Sequence, residues 1–100
     1  EDYKSQGNDF FQKGEIQKAI QAYTLGIQEA SDTQLKAVLF SNRAACYLKT
    51  ESSHLQDCID DCTSALGLLE GDPKAVRGKL LYRRAKARFL LSGINNDNVL

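Results

Sequence analysis

The chain has 100 residues, 42% of them hydrophobic, and its 13 basic and 13 acidic side chains cancel to a formal net charge of zero. That length makes one domain, with apolar content enough for a core and no need of disulfides or metals to stay folded. Neutrality argues against bulk electrostatic binding to nucleic acid or to a membrane surface, and no apolar run approaches the length of a membrane span. The three cysteines are an odd number set within helical patterns. This suits reduced thiols in a cytosolic protein better than a secreted disulfide framework. Glu1 opens no signal peptide, and a start there without Met reads as a segment of a longer parent. A single Pro, with Ala, Leu, Gln, Lys and Glu abundant, points to an all-α fold.

From Asp2 to Lys13, Tyr3, Phe10 and Phe11, with Gly7 between, fit a short helix that Gly14 stops. A second helix is predicted from Glu15 to about Ala30, with Ile16, Ala19, Ile20, Tyr23, Leu25 and Ile27 as its buried side. Ser31-Asp32-Thr33 breaks the pattern, and Asp32 or Thr33 can cap the next helix. That third helix runs to about Thr50. Ser52 or Ser53 can cap a fourth, whose apolar stripe is Leu55, Cys58, Ile59, Cys62, Ala65, Leu66 and Leu69. Gly71-Asp72-Pro73 reads as a turn and a new start, with Asp72 at the N-cap and Pro73 in the first turn. The fifth helix extends to about Ser92, and Ile94 to Asn98 read as a loop.

The third helix, at the centre of the chain, carries two patterns. Val38, Ser41/Asn42, Ala45 and Lys49 recur at three- and four-residue steps and trace one face, small except for an amide and an ammonium. A ligand could approach the backbone closely there, so this helix is expected to floor a groove between its neighbours. Charge is also unevenly spread. Residues 51–72 hold six acids and no Lys or Arg, and residues 73–90 hold seven bases and no acid. Such blocks suit solvated faces that attract each other across a helix pair, with an anion-binding surface as the rival reading.

The helices also repeat. Ala19 to Ile27 line up with Cys58 to Leu66 at an offset of 39, and Ser41 to Leu48 with Tyr82 to Phe89 at an offset of 41. Two helix types therefore alternate, A-B-A-B-A, the mark of a helical-hairpin repeat. The first unit, Tyr3-x2-Gln6-Gly7-x2-Phe10 then Ala19-x3-Tyr23, resembles the tetratricopeptide pattern Trp-x2-Leu-Gly-x2-Tyr … Ala-x3-Phe, with aromatic exchanged for aromatic and Gln6 the poorest match. Ala44, Tyr47, Cys58, Cys62 and Ala65 take the same places in the second unit, and Ala85 and Phe89 in the third. The resemblance implies an all-α, right-handed superhelix of antiparallel helical hairpins with five helices. Repeat 1 covers about residues 1–34 and repeat 2 about 35–72. The A helix of repeat 3 covers about 73–92, with a tail at 93–100. The B helix of that repeat and a capping helix are absent, so the side of the fifth helix bearing Leu81, Ala85 and Phe89 is expected to lack a partner. Either the chain is cut short of those helices, or an intermolecular contact such as self-association through this uncapped helix covers the surface.

Within this family the chain resembles the co-chaperone subset that grips a C-terminal peptide through a dicarboxylate clamp. The subset's Lys and Asn four apart in the first A helix match Lys4 and Asn8. Its Asn in the second A helix matches Asn42, followed seven residues later by Lys49. Its Lys and Arg four apart in the third A helix match Lys79 and Arg83. The resemblance implies a non-catalytic, cytoplasmic adaptor for the Glu-Glu-Val-Asp tail of the seventy- or ninety-kilodalton heat-shock chaperones. Lys49, Phe11 and Lys86 are accessory contacts to residues upstream of that tail. The chemistry agrees, because residues four apart share a helix face. A terminal Asp also brings two carboxylates, which two ammoniums, a guanidinium and two amides can hold.

Other readings are weaker. His54, Cys58 and Cys62 share a face, but eight residues of helix span about 12 Å, too far for one metal ion. No cofactor is implied, since no Gly-rich phosphate loop and no paired nucleophile and base occur. The seven bases of the fifth helix encircle it rather than forming a stripe, which weakens nucleic-acid binding. The remaining alternative is a generic repeat scaffold for a partner helix or internal peptide, which would not require a free carboxyl terminus.

Overall fold

The computed structural model describes residues 2–50, 52–69 and 74–97, with side chains at 52, 74–76 and 94–97 excepted. Within them the chain is all-helical: α1 (Tyr3–Gln12), α2 (Ile16–Glu29), α3 (Thr33–Lys49), a 3-10 turn (Ser52–His54), α4 (Leu55–Leu68) and α5 (Lys74–Asp97). Successive helices pack against each other, and α3 also touches α5. The molecule measures 49 × 33 × 20 Å, about two helices thick. This is a tetratricopeptide-like array of helical hairpins.

Local chemistry sets most of the boundaries. Asp2 Oδ1 accepts the Ser5 N–H at 2.7 Å and starts α1; Asp32 Oδ2 accepts that of Leu35 at 2.9 Å and starts α3. At the end of α1, Gly14 takes φ 79°. Gly14 N–H then bonds Phe11 O at 3.0 Å and Glu15 N–H bonds Phe10 O at 2.9 Å. This closing motif favours a residue without Cβ. The fourth helix departs from expectation. The 3-10 turn uses up Ser52–His54, so neither serine caps α4, whose N-cap is His54 without a side-chain bond. Asp57, in the first turn, suits the positive end of the helix and meets His54 Nδ1 at 2.9 Å. The last helix runs through Asp97 rather than ending near Ser92. Gly93 costs a helix only about 1 kcal/mol against Ala, and no Pro follows to stop the ladder. The Gly71-Asp72-Pro73 turn lies outside the described residues.

α3 is buried on two opposite sides. Ala37 and Ala44 join Leu55, Cys58, Cys62, Leu80 and Ala87 in one cluster, whereas Leu39 and Cys46 join Ala19 and Tyr23 in another. Each α3 pair is seven residues apart, and two residues of offset rotate about 200° around a helix, so the pairs face opposite ways. The stripe of α2 follows the expectation except at Leu25, with Ile16, Ile20 and Ile27 packed against the cluster of Ala19 and Tyr23. Ala19, Ala22, Tyr23 and Gly26 are buried, and Leu25, two residues beyond Tyr23, is 46% exposed. Gly7 is required where α1 crosses α2, since a Cβ there would overlap the Tyr23 ring. On α5 the packed side carries Leu80 and Ala87. Leu81, Ala85 and Phe89 are exposed, Phe89 to 77%. Cys46, Cys58 and Cys62 are free thiols, all buried.

Among the described residues, the acids and bases of the two blocks do not pair as the charge pattern suggests. Among the described residues no ion pair joins α4 to α5. Instead Asp61 turns to α3, where Arg43 Nε and Nη2 donate to its two oxygens at 2.7 Å each. Arg43 Nη1 also donates to Thr24 Oγ1 of α2 at 3.0 Å, and the guanidinium lies 5.6 Å from the Phe40 ring and 5.7 Å from that of Tyr47. Burial raises the Asp61 carboxyl above its ordinary range despite the Arg43 bonds. The Asp61 bond holds Arg43 more firmly protonated against the opposing effect of burial. The pair therefore fixes geometry more than it adds net stability. Asp61→Ala should cost about 3–5 kcal/mol by stranding the arginine, and Arg43→Met with Asp61→Leu should recover much of that loss. Urea denaturation of the three variants against the parent measures both effects.

Candidate functional site

Between the first-layer helices α1, α3 and α5 lie two adjoining cavities. The smaller, about 140 Å³, is lined by Asn8, Phe11, Tyr23, Asn42, Ala45 and Arg83. The second, about 370 Å³, shares Phe11, Ala45 and Arg83 and adds Leu48, Lys49, Tyr82 and Lys86. α3 supplies the floor because Asn42, Ala45 and Lys49 sit on the side between its two buried faces. Three of the five residues expected to form a clamp, Asn8, Asn42 and Arg83, thus come together in one pocket. All three accessory residues, Phe11, Lys49 and Lys86, border its extension. No carboxylate lines either cavity, so the field there is positive.

The two clamp lysines are placed differently. Lys4 is exposed and borders another cavity, at the α2–α3 corner, with Asp2, Tyr3 and Leu35. Lys79 is exposed and borders neither cavity of the groove. Each lies one helical turn, about 6 Å of rise, before Asn8 or Arg83 respectively, within the reach of a long side chain. His54 turns to Asp57 and to the Tyr47 ring, whose centroid is 5.2 Å away, and not toward the cysteines. Among the described bases of α5, Arg83 and Lys86 border the groove. Arg83 faces α3, Arg84 Nη1 reaches Thr63 Oγ1 at 3.4 Å, and Lys79, Lys86 and Arg88 are exposed.

Hydrogen bonds hold the pocket side chains in place. Asn8 Oδ1 accepts from the Tyr23 hydroxyl at 2.5 Å and from Asn42 Nδ2 at 3.4 Å. Arg83 Nη1 donates to both Ser41 O, at 2.8 Å, and Ser41 Oγ, at 2.7 Å. Nε and Nη2 of Arg83 and the Asn8 amide N–H groups therefore remain for an acceptor. Sequence reasoning gave Tyr23 only a packing role and left Ser41 and Tyr82 out of the site. The hydroxyl at a position where the repeat pattern has Phe was the available signal for Tyr23. The Ser41 contact depends on how α5 crosses α3, which no local pattern encodes.

No protein-family model matches the chain. The human mitochondrial import receptor subunit TOM34 is 41% identical over 92 residues, covering 87% of this chain and 28% of that protein. The Hsp70/Hsp90 co-chaperone CNS1 of Saccharomyces cerevisiae is 37% identical over 93 residues, covering 92% and 22%. Protein unc-45 homolog B of Danio rerio is 40% identical over 86 residues, covering 84% and 8%. The chain thus spans less than a third of the length of these curated relatives. Fold and similarity together support a tetratricopeptide-type domain.

Tyr23 gives the site a titration signature. Burial pushes its hydroxyl up to about 12, from an ordinary value near 10. Between those values the unfolded chain loses a proton that the folded chain keeps. The contribution present below pH 10 is therefore lost as pH rises through 12. Cys46, pushed by burial up to about 11, adds a similar loss that starts near pH 9. In Tyr23→Phe the cysteine part should persist and the loss between pH 10 and 12 should be smaller, as read by urea denaturation at stepped pH.

Proposed function

We propose that this chain is a non-catalytic, cytoplasmic adaptor domain that holds the acidic C-terminal Glu-Glu-Val-Asp tail of a heat-shock chaperone of the seventy- or ninety-kilodalton class. The observation that carries this reading is the convergence of Asn8, Asn42 and Arg83 on one carboxylate-free pocket, with Lys49 and Lys86 along its extension. In this reading the terminal Asp enters the smaller cavity. Arg83 offers Nε and Nη2 to one carboxylate, in charge-assisted bonds about twice as strong as neutral ones. Lys4 and Lys79 swing in from one turn away to meet the other. The amides of Asn8 and Asn42 hold the peptide backbone. Upstream residues lie along Phe11, Leu48 and Tyr82, flanked by the two remaining lysines.

Relatives support the partner class, since one is named a co-chaperone of Hsp70 and Hsp90 and another an import receptor subunit. So short a ligand implies micromolar affinity, about −7 to −8 kcal/mol, weakening as salt screens the exposed lysines. Among the described residues no helix is long and apolar enough to cross a membrane. The deciding experiment is calorimetric titration with a peptide ending Glu-Glu-Val-Asp, beside the same peptide amidated at its C-terminus. Micromolar binding of the free acid alone is expected, weakened about tenfold or more in Arg83→Ala and lowered also in Lys79→Ala. Equal binding of both peptides would make the domain a generic scaffold, and no binding by the folded chain would remove the tail as its ligand.

A further inference from the structure

Two buried hydroxyls hold the pocket side chains, one on Tyr23, 2% exposed, whose ring also borders the smaller cavity, and one on Ser41, 4% exposed. Packing accounts for neither. The Tyr23 ring fills the space that Gly7 leaves, and a phenyl ring would fill it equally well. What the hydroxyl adds is a bond across to α1, where it donates to Asn8 Oδ1 at 2.5 Å. A carboxamide has one accepting end and one donating end. With Oδ1 taken by Tyr23 and approached by Asn42 Nδ2 at 3.4 Å, the amide nitrogen is the end left for a ligand. Without the hydroxyl, the Asn8 amide could turn over and offer its oxygen instead.

Ser41 acts on Arg83 in the same manner. A long arginine side chain loses much rotamer freedom when it binds, and that loss weakens association unless the chain is ordered beforehand. Nη1 of Arg83 is fixed twice to one residue, by Ser41 O at 2.8 Å and Ser41 Oγ at 2.7 Å. Only one of the three guanidinium nitrogens is used, so the other two face a ligand from a fixed position.

We propose that Tyr23 and Ser41 are the positioning residues of this site, setting its polarity so that it presents N–H donors and selects carboxylate and peptide-carbonyl oxygens over an amidated terminus. This inference rests on the tail-binding reading and deepens it. Each acts through the side chain that its hydroxyl holds, Asn8 for Tyr23 and Arg83 for Ser41. Burial keeps the Tyr23 hydroxyl protonated, and so a donor, to about pH 12. The orientation of Asn8 is therefore unaffected by ordinary changes of pH.

A double-mutant cycle on peptide affinity tests the Tyr23 arm. The free-acid and amidated peptides are titrated into the parent chain, Tyr23→Phe, Asn8→Ala and the double variant, with melting curves confirming that each is folded. Tyr23→Phe is expected to weaken the free acid about 3- to 10-fold, to narrow its advantage over the amide, and to have no further effect once Asn8 is alanine. A loss of purely structural origin would persist in the Asn8→Ala background. The Ser41 arm uses Ser41→Ala, expected to weaken the free acid by a similar factor and to speed solvent exchange of the Arg83 Nε–H in the NMR spectrum of the unliganded chain. It decides the matter alone if Tyr23→Phe does not fold. Parent-like binding by the folded variants, or equal losses with and without Asn8, would overturn this inference and leave tail binding intact. Failure of the parent chain itself to bind the free acid would remove the tail reading and this inference with it.

Discussion

Arg43 and Asp61 hold three helices in register from behind the groove. The guanidinium spans from Thr24 on α2 to Asp61 on α4 while rooted in α3, and it does so in a partly buried place where an unpaired charge would be costly. Its position on α3 is decisive. Arg43 is one residue from Asn42, about 100° around the helix, so fixing the rear of α3 also fixes the direction in which Asn42 points.

That constraint explains how one short helix serves two clusters and a binding pocket. Ala37 and Ala44 face α4 and α5, Leu39 and Cys46 face α2, and Arg43 with the Phe40 and Tyr47 rings beside it forms the rear. What remains is the stripe of Asn42, Ala45 and Lys49, with Ser41 at its edge. Small side chains on this stripe let α1 and α5 approach from either side, so Asn8 and Arg83 can meet over it. α1 can come close because Gly7 admits the Tyr23 ring, and the same ring carries the hydroxyl that orients Asn8. Packing and recognition use the same contacts.

The helices and their alternation were legible in the sequence because each depends on spacing along the chain, and the convergence of Asn8, Asn42 and Arg83 followed from what the family resemblance implies. Capping by Asp32 and the stop at Gly14 are local, and local chemistry settles them. Features that depend on azimuth or crossing angle were not legible. Leu25 fits an apolar count but lies on the wrong side of α2. Ser52 and Ser53 have the right chemistry for a cap, yet the 3-10 turn sets them too early. The acidic block of α4 and the basic block of α5 suggested mutual attraction, whereas the one buried acid chose a partner on α3. Arg43 was unremarked because nothing in its neighbourhood of the sequence shows that Thr24 and Asp61 will converge on it.

The three cysteines give the fold a built-in clock. None is exposed, two lie in the cluster on one side of α3 and the third in the cluster on the other. A hydrogen bond to Cys62, together with burial, pushes the Cys58 thiol well up from its ordinary value, so it has little thiolate to offer a reagent. Alkylation of Cys58, and of Cys46, whose thiol burial also pushes up, must therefore wait for the chain to open, and the two rates compared report which half opens first. An adaptor of stacked hairpins can come apart one hairpin at a time, and in this chain each half carries its own native label.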